Sequence, residues 1–303
     1  MSFFKKLPLR ITGVMLGFAA LGNLLQSYSE RVHLLCGAIS LLLEILFVIK
    51  VLTDISGFKE DMKNPIMASV SGTFSMALML LAGYARAFIG QSAIIIWYFA
   101  ILLHIVLIVY FTVKFILKLQ MTKVFASYFI VYVGIVVASI SAPAFNKQAI
   151  GAAFFWFGFV SLLILLVLVT YRYVKFKEVP EPAQPLFCIY TAPISLCVAG
   201  YVQSVMPKNL AFLLVMAAAA AVLYVIALVK AVSCLKLKFY PSYAAFTFPF
   251  VISAIAMKMT MACTMNLGSP LSWLAPIVLI ETIIATAFVI YTFVRFIMFA
   301  CSK

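Results

Sequence analysis

The sequence is poor in charged residues, and above all in acidic ones. Only 10% of its 303 residues are charged, and 8 Asp and Glu stand against 22 Lys and Arg. A soluble domain is about half apolar and carries about a quarter charged residues, whereas 66% of this chain is hydrophobic. The composition excludes a soluble globular domain, a disordered chain and a secreted disulfide scaffold. We therefore attribute the net charge of +14 to the positive-inside bias of membrane proteins rather than to nucleic-acid binding.

Histidine and closely spaced cysteines are also scarce. The chain has two histidines, His33 and His104, and none of its six cysteines forms a C-x-x-C pair. A zinc site needs His and Cys ligands at defined spacings, so we expect no metal site and no cofactor. An intramembrane enzyme needs a His/Asp/Glu cluster or a nucleophile paired with a base. Neither is visible, so we do not expect an enzyme.

Long apolar runs dominate what is present. A membrane helix needs about 20 apolar residues, and ten spans of roughly that length can be placed. They are 8–29, 32–52, 65–85, 91–117, 122–145, 149–174, 185–205, 209–235, 242–265 and 270–298. The first run lacks a signal-peptide cleavage site, so we expect it to be a true span. The sequence predicts an all-α integral membrane protein.

The odd-numbered spans begin at nearly equal intervals, which indicates an internal repeat. Each unit is a helical hairpin, and units of two spans keep the same orientation, so the five hairpins are parallel. We predict one transmembrane domain over residues 1–303. Its hairpins are about 8–52, 65–117, 122–174, 185–235 and 242–298.

Basic residues are unevenly divided between the two ends of these spans. Seventeen lie at the termini or after even spans, four lie after odd spans, and Lys258 lies within a span. Because cytoplasmic loops carry an excess of Lys and Arg, we expect both termini in the cytoplasm and the protein in the cell (plasma) membrane.

Glycine and proline distinguish the two helices of each hairpin. The odd spans contain 13 of these residues and the even spans 5, and the even spans are instead aliphatic, as in Ser161–Thr170. Glycine and proline allow close packing and broken helices, which need protein or water nearby. We expect an inner ring of five odd helices around a central pore and an outer ring of five even helices. The alternative is ordinary tight packing without an open path.

Four ionisable residues fall inside spans, where burial of charge is costly. Glu44, His104 and Glu281 are candidates for proton coupling, although a structural role is favoured for each. Lys258 lies on span 9. It either attracts anions to the pore or pairs with Glu281, and the sequence does not separate these alternatives.

Span 9 also contains an aromatic residue next to a proline. Pro249 is expected to kink the helix, and Pro193 and Pro143 are expected to kink spans 7 and 5. Phe248, at the kink of a pore helix, is a candidate plug that closes the path by steric occlusion and dewetting. Because the chain has 28 phenylalanines, ordinary packing is the alternative.

The ten spans in five hairpins, together with two segments, resemble the tellurite-resistance/dicarboxylate transporter family over essentially the whole chain. This family includes bacterial TehA-like proteins and the plant slow-type guard-cell anion channels. The segments are Leu7–Leu25 (LPLRITGVMLGFAALGNLL) and Phe246–Pro249 (FTFP). The resemblance implies that five inner helices line a pore, that Phe248 is its gate, and that the protein is a homotrimer with one pore in each subunit. This chain lacks the long termini of the plant channels, so control by phosphorylation is not expected.

Two functions follow. The first is an anion channel or channel-like uniporter for small anions of the chloride or nitrate type, since few acidic groups are available to attract cations. The alternative is a proton-coupled transporter of C4-dicarboxylates, sulfite or tellurite. It requires a titratable relay and an arginine to clamp a carboxylate, and no arginine is clearly placed in an inner helix.

Overall fold

The computed structural model describes residues 8–302; Lys5, Lys6 and Lys303 of the predicted cytoplasmic set, and the first residue of the Leu7–Leu25 segment, lie outside this range. Residues 8–302 contain no β-strand. The α-helices in chain order are α1 (Ile11–Leu25), α2 (Glu30–Thr53), α3 (Ile55–Asp61), α4 (Pro65–Val70), α5 (Gly72–Ile89), α6 (Ile94–Phe111), α7 (Tyr128–Tyr132), α8 (Val136–Ser141), α9 (Gln148–Lys175), α10 (Thr191–Ser204), α11 (Leu210–Cys234), α12 (Phe248–Asn266) and α13 (Leu274–Cys301).

Several helical segments are long and apolar enough to cross a membrane. Within residues 8–302 there are seven: Glu30–Thr53, Pro65–Ile116, Gln148–Lys175, Glu181–Ser204, Leu210–Cys234, Pro241–Asn266 and Leu274–Cys301. Ile11–Leu25 and Val136–Phe145 are shorter apolar helices. The chain is therefore a multi-pass membrane protein, as its composition predicts.

The helices form two sets that differ in burial. The buried set is α1, α5, α8, α10 and α12: in α1, 13 of 15 residues are buried. The exposed set is α2, α6, α9, α11 and α13. Helix α9 buries only 7 of its 28 residues, and these recur every three or four positions along one stripe. A helix with a single buried stripe packs on protein along one side, and the remaining aliphatic surface suits contact with lipid.

Helices of the buried set are interrupted or preceded by 3-10 segments, whereas those of the exposed set are continuous. A 3-10 helix over Glu181–Tyr190 precedes α10, and another over Pro241–Phe246 precedes α12. Ser71 separates α4 from α5, and residues 133–135 separate α7 from α8. The exposed helices run for 18 to 28 residues, and α6 continues into a π-helical turn. Backbone groups freed at a break must be satisfied by surrounding protein or water, which explains why the breaks fall in the buried set.

The contacts between neighbouring helices of the buried set form a closed cycle. Helix α1 contacts α5, α5 contacts α8, α8 contacts α10, α10 contacts α12, and α12 contacts α1. Each of these helices also packs on the exposed helix that follows it in the chain. The cycle brings α1 and α12, which lie at opposite ends of the sequence, side by side.

Candidate functional site

Three cavities are linked in order by shared residues; two lie among the buried helices, and the third is lined partly by the exposed helix α9 and the segment after it. The basic vestibule has a volume of ≈ 790 Å³ and includes Arg172, Lys175 and Lys177. The central chamber has a volume of ≈ 40 Å³ and shares only Arg10 with the vestibule. The wide cavity, of ≈ 390 Å³, shares only Phe248 with the central chamber. Together they trace an interrupted path through the described residues.

Phe248 is the boundary between the central chamber and the wide cavity. Its side chain is 5% exposed and contributes to the lining of both. The neighbouring phenylalanines point elsewhere: the Phe250 ring packs on Tyr224 and Phe288 of the exposed helices, and Phe246 also packs on Phe288. The structure thus places Phe248 apart from the other two aromatic residues of the FTFPF segment.

A backbone break beside Phe248 fixes its position. Thr247 has φ −88° and ψ −97°, and it joins the 3-10 helix over Pro241–Phe246 to α12. Its hydroxyl contacts the Gly13 carbonyl of α1 at 2.8 Å and the Ala244 carbonyl at 2.7 Å. A Cβ atom at Gly17 would lie only 2.6 Å from the Thr247 Cβ. Glycine at position 17 therefore allows α1 to approach the break that carries Phe248.

The three predicted kink prolines occupy different positions. Pro249 lies in the first turn of α12, where its missing N–H is not needed, so it removes no helical hydrogen bond and the break falls at Thr247 instead. Pro193 lies in the first turn of α10, and both prolines line the central chamber. Pro143 belongs to the 3-10 helix Ala142–Phe145 and lines none of the three cavities.

Lys258 lines the wide cavity and is held by the end of α1. Its ammonium donates to the Leu24 carbonyl at 2.9 Å and to the Ser27 hydroxyl at 2.6 Å, and it lies 5.1 Å from the centre of the Tyr28 ring. A cation is favourable at a helix C-terminus. Within residues 8–302 no ion pair joins Lys258 to Glu281, so the alternative that Lys258 pairs with this carboxylate is not what the structure contains.

Fixed charge along the path is predominantly positive. No Asp or Glu lines the central chamber or the wide cavity among the described residues, and Glu178 is the one acidic residue of the vestibule lining. Arg10 and Lys258 lie on opposite sides of Phe248. Positive side chains along a low-dielectric path raise the local concentration of anions.

Arg10 is the path residue that sequence reasoning missed, because it was counted only among the charges of the cytoplasmic end. It is the N-cap residue of α1. The Arg10 Nε atom is buried and has no hydrogen-bond partner among the described residues. Arg10 therefore lies just before α1, so an arginine is present at the end of a buried helix although none was expected within one. No motif around position 10 marks this role, which depends on neighbours distant in sequence.

His104 is completely buried on α6 and links it to two other helices. Its Nδ1 atom lies 2.7 Å from the Ser75 hydroxyl, and its Nε2 atom lies 3.0 Å from the Val131 carbonyl. A neutral ring with its proton on Nε2 satisfies both contacts. His104 lines none of the three cavities, and its geometry is that of a packing bridge.

Glu44 and Glu281 are buried at 4% and 3% exposure on α2 and α13. Both oxygens of Glu44, and Oε2 of Glu281, have no hydrogen-bond partner among residues 8–302. Neither residue lines the basic vestibule, the central chamber or the wide cavity. The structure does not bring Glu44, His104 and Glu281 together along the path.

Comparison with known families agrees with the architecture. A family model described as voltage-dependent anion channel (SLAC1) matches residues 6–297. The chain therefore belongs to the SLAC1 family, which covers TehA-like proteins and the plant SLAC1 channels. This confirms the family that the first helix and the FTFP segment predicted. No curated protein matches the chain.

Proposed function

We propose that the protein is an anion channel, or channel-like uniporter, for small anions of the chloride or nitrate type. In this proposal ten spans form five parallel hairpins, the buried set is the inner ring around a pore, and the exposed set is the outer ring. The observation that carries the proposal is the position of Phe248, which is the one described residue shared by the central chamber and the wide cavity. Membership of the SLAC1 family supports anion transport in general.

In the proposed path, an anion meets the vestibule, the central chamber, Phe248 and the wide cavity in that order. An anion is concentrated in the basic vestibule, passes Arg10 into the central chamber, and is stopped by the Phe248 ring. Displacement of the ring opens the way to the wide cavity and Lys258. The chamber has room for roughly three water molecules in its ≈ 40 Å³, so an ion must shed most of its hydration shell. Easily dehydrated anions are then expected to permeate best.

The test is the anion current of wild type and Phe248→Ala in planar bilayers under chloride and nitrate gradients. We expect a nearly silent wild type and a conducting variant whose reversal potential follows the anion. Phe250→Ala is the matched control, because it removes an equal side chain that packs on the exposed helices. Equal currents for wild type and Phe248→Ala would reject Phe248 as the gate.

The second candidate is a proton-coupled transporter of C4-dicarboxylates, sulfite or tellurite. Arg10 favours it, because a guanidinium at the path can bind a carboxylate in a bidentate manner. The positions of Glu44, His104 and Glu281 away from the cavities do not. Uptake of labelled malate and sulfite into vesicles, with and without a pH gradient, separates the two candidates. Coupled uptake that is lost in Glu281→Gln or Glu44→Gln would establish the carrier and replace the channel.

The assembly is proposed to be a homotrimer in the cell membrane, with the basic vestibule and both termini on the cytoplasmic side. The basic residues at this end support the orientation, and the family resemblance supports the trimer. Labelling of the exposed Cys301 from one side of sealed vesicles tests the orientation. Native mass spectrometry of the purified protein tests the trimer.

A further inference from the structure

A further cavity lies outside the path, between the exposed helices α2 and α6 at the vestibule end of the molecule. This lateral groove has a volume of ≈ 530 Å³, and helices α3 and α5 complete its lining. Its rim is open, since Val48 on α2 and Val106 on α6 are 39% and 57% exposed. Along α6 it extends from Leu103 to Tyr110, which is roughly 10 Å, or about a third of the hydrocarbon thickness of a bilayer.

The interior of the lateral groove is apolar. Aromatic rings form its inner wall, because the centre of the Phe47 ring lies 5.3 Å from that of Phe74 on α5 and 6.5 Å from that of Phe58 on α3. The hydroxyl groups in the lining all hydrogen-bond to the protein itself: Ser71 to the Ala68 carbonyl, Ser75 to the His104 ring and Tyr110 to the Met62 carbonyl. Such a surface accepts a hydrocarbon chain and offers no free polar group to a hydrophilic solute.

One charged residue lines the lateral groove among residues 8–302, and it is a lysine. Lys59 is exposed and lies on α3, which directly follows the vestibule end of α2. No ion pair or hydrogen bond holds its ammonium within the described part of the chain, and the adjacent acid, Glu60, is paired with Lys63 at 2.7 Å. Lys114 is also exposed and follows Tyr110 by one turn. The vestibule end of the groove is therefore positively charged, in contrast to its interior.

The inner wall of the lateral groove is shared with the central chamber. Ser71 and Phe74 line the groove, whereas Val70 and Thr73, their neighbours in the chain, line the chamber. The wall contains the break between α4 and α5 at Ser71. A molecule seated in the groove therefore packs against the outer side of this break.

We propose that the lateral groove binds one anionic glycerophospholipid, with an acyl chain between α2 and α6 and the headgroup phosphate at Lys59. A lysine beside an apolar surface extends its ammonium to the level of the headgroups, where anionic lipids attract basic residues. The bound lipid holds α3 and the break at Ser71 in place. Assignment of the lipid to the cytoplasmic leaflet rests on the proposed orientation, whereas binding itself depends neither on that orientation nor on anion transport.

The test counts the lipids bound to the purified protein. Native mass spectrometry and thermal unfolding are measured with phosphatidylglycerol and with phosphatidylcholine of the same acyl chains, so that the two lipids differ in headgroup charge. Lys59→Gln removes the charge, and Val106→Trp places an indole in the groove. The matched controls are Lys236→Gln, at another exposed lysine of the same end, and Val160→Trp, at a residue of α9 that is 54% exposed; neither residue lines the groove.

We expect phosphatidylglycerol to bind more tightly than phosphatidylcholine and to raise the unfolding temperature more. Its affinity should fall about fivefold in Lys59→Gln, the contribution of one basic residue near an anionic surface, and the preference over phosphatidylcholine should be lost. Val106→Trp should weaken binding of both lipids and remove most of the thermal stabilisation, while both controls should match wild type. If Val106→Trp does not fold, Lys59→Gln still decides the question, since this side chain is exposed.

Photolabelling of wild type is a second readout that needs no substitution. A phosphatidylglycerol with a photoreactive group in its acyl chain should label groove residues of α2 and α6, and unlabelled phosphatidylglycerol should compete. Labelling spread evenly over all exposed helices would overturn the proposal, because the lipid would then be ordinary bilayer lipid. Phosphatidylglycerol affinity that is unchanged in folded Lys59→Gln and Val106→Trp would also overturn it. If Val106→Trp changes the number of subunits rather than the number of bound lipids, the groove is a contact between copies of the chain and the proposal fails.

Discussion

The buried and exposed helices of this protein differ in how continuous their backbones are. Helix α9 runs unbroken for 28 residues and buries one stripe, whereas α12 starts at Phe248 only after a 3-10 helix and a turn at Thr247. A helix facing lipid must satisfy its backbone internally, so continuity is required of the exposed set. Segments surrounded by protein are released from that requirement, and the path residues Arg10 and Phe248 both stand at the start of a buried helix. One of these breaks, at Thr247, lies directly beside the candidate gate Phe248.

Among the substitutions that test this comparison, the largest effect is expected at Gly17, where α1 packs on α12. In Gly17→Ala the new methyl group would lie 2.6 Å from the Thr247 Cβ and 2.9 Å from its hydroxyl oxygen. Overpacking of this kind costs about 1–3 kcal/mol, and it should displace the neighbouring Phe248. We expect a lower unfolding temperature together with an altered basal anion current.

Gly83→Ala is the control, because a Cβ atom at Gly83, on the buried helix α5, meets no atom within 4 Å. It should leave the current unchanged and gain a few tenths of a kcal/mol or more in helix stability. If both variants behave alike, close approach at Gly17 does not position the gate.

The next largest effect is expected at His104, which joins the exposed helix α6 to the buried set. His104→Ala leaves the Ser75 hydroxyl and the Val131 carbonyl without their ring partner. Unsatisfied buried groups cost about 1–3 kcal/mol each, so the unfolding temperature should fall. Transport should keep the pH dependence of wild type, as measured by anion flux between pH 5 and pH 8. Loss of a pH dependence in the variant would show that His104 titrates during transport and is more than a bridge.

The smallest expected effect is the difference in stability loss between two Val→Ala substitutions, one in each set of helices. Val198 on α10 is fully buried, while Val167 on α9 is 73% exposed. Val198→Ala should cost on the order of 1–2 kcal/mol through lost packing, and Val167→Ala should stay within about 0.5 kcal/mol. Thermal unfolding in the same detergent measures both. A larger loss for Val167→Ala would indicate that this face of α9 is covered by protein, as in an oligomer.

Much of the helix contrast could be predicted from composition. The glycine and proline excess in the odd spans indicates where backbones approach closely, and Gly17 beside Thr247 is such a place. The aliphatic run Ser161–Thr170 correctly marks α9 as a helix with a large exposed surface. These signals are local in sequence, because packing against lipid and packing against protein favour different residue types.

Other features were not visible because they depend on contacts between distant residues. The Thr247 hydroxyl and the Gly13 carbonyl are 234 positions apart, and the same separation joins Lys258 to the Leu24 carbonyl. Sequence reasoning therefore placed the kink at Pro249, gave Lys258 an alternative partner in Glu281, and counted Arg10 only among the charges of the cytoplasmic end. Each of these details depends on α1 lying beside α12, which hydropathy does not reveal.

Cysteine accessibility tests the central claim most directly, namely that the Phe248 side chain alone separates the central chamber from the wide cavity. Ala245→Cys would place a thiol in the central chamber, and Ile252→Cys would place one in the wide cavity. A membrane-impermeant thiol reagent should reach position 245 only from the vestibule side and position 252 only from the opposite side. In the Phe248→Ala background, each should become reachable from both sides. If both thiols react from the same side while Phe248 is intact, or if Phe248→Ala opens neither, Phe248 is not the barrier.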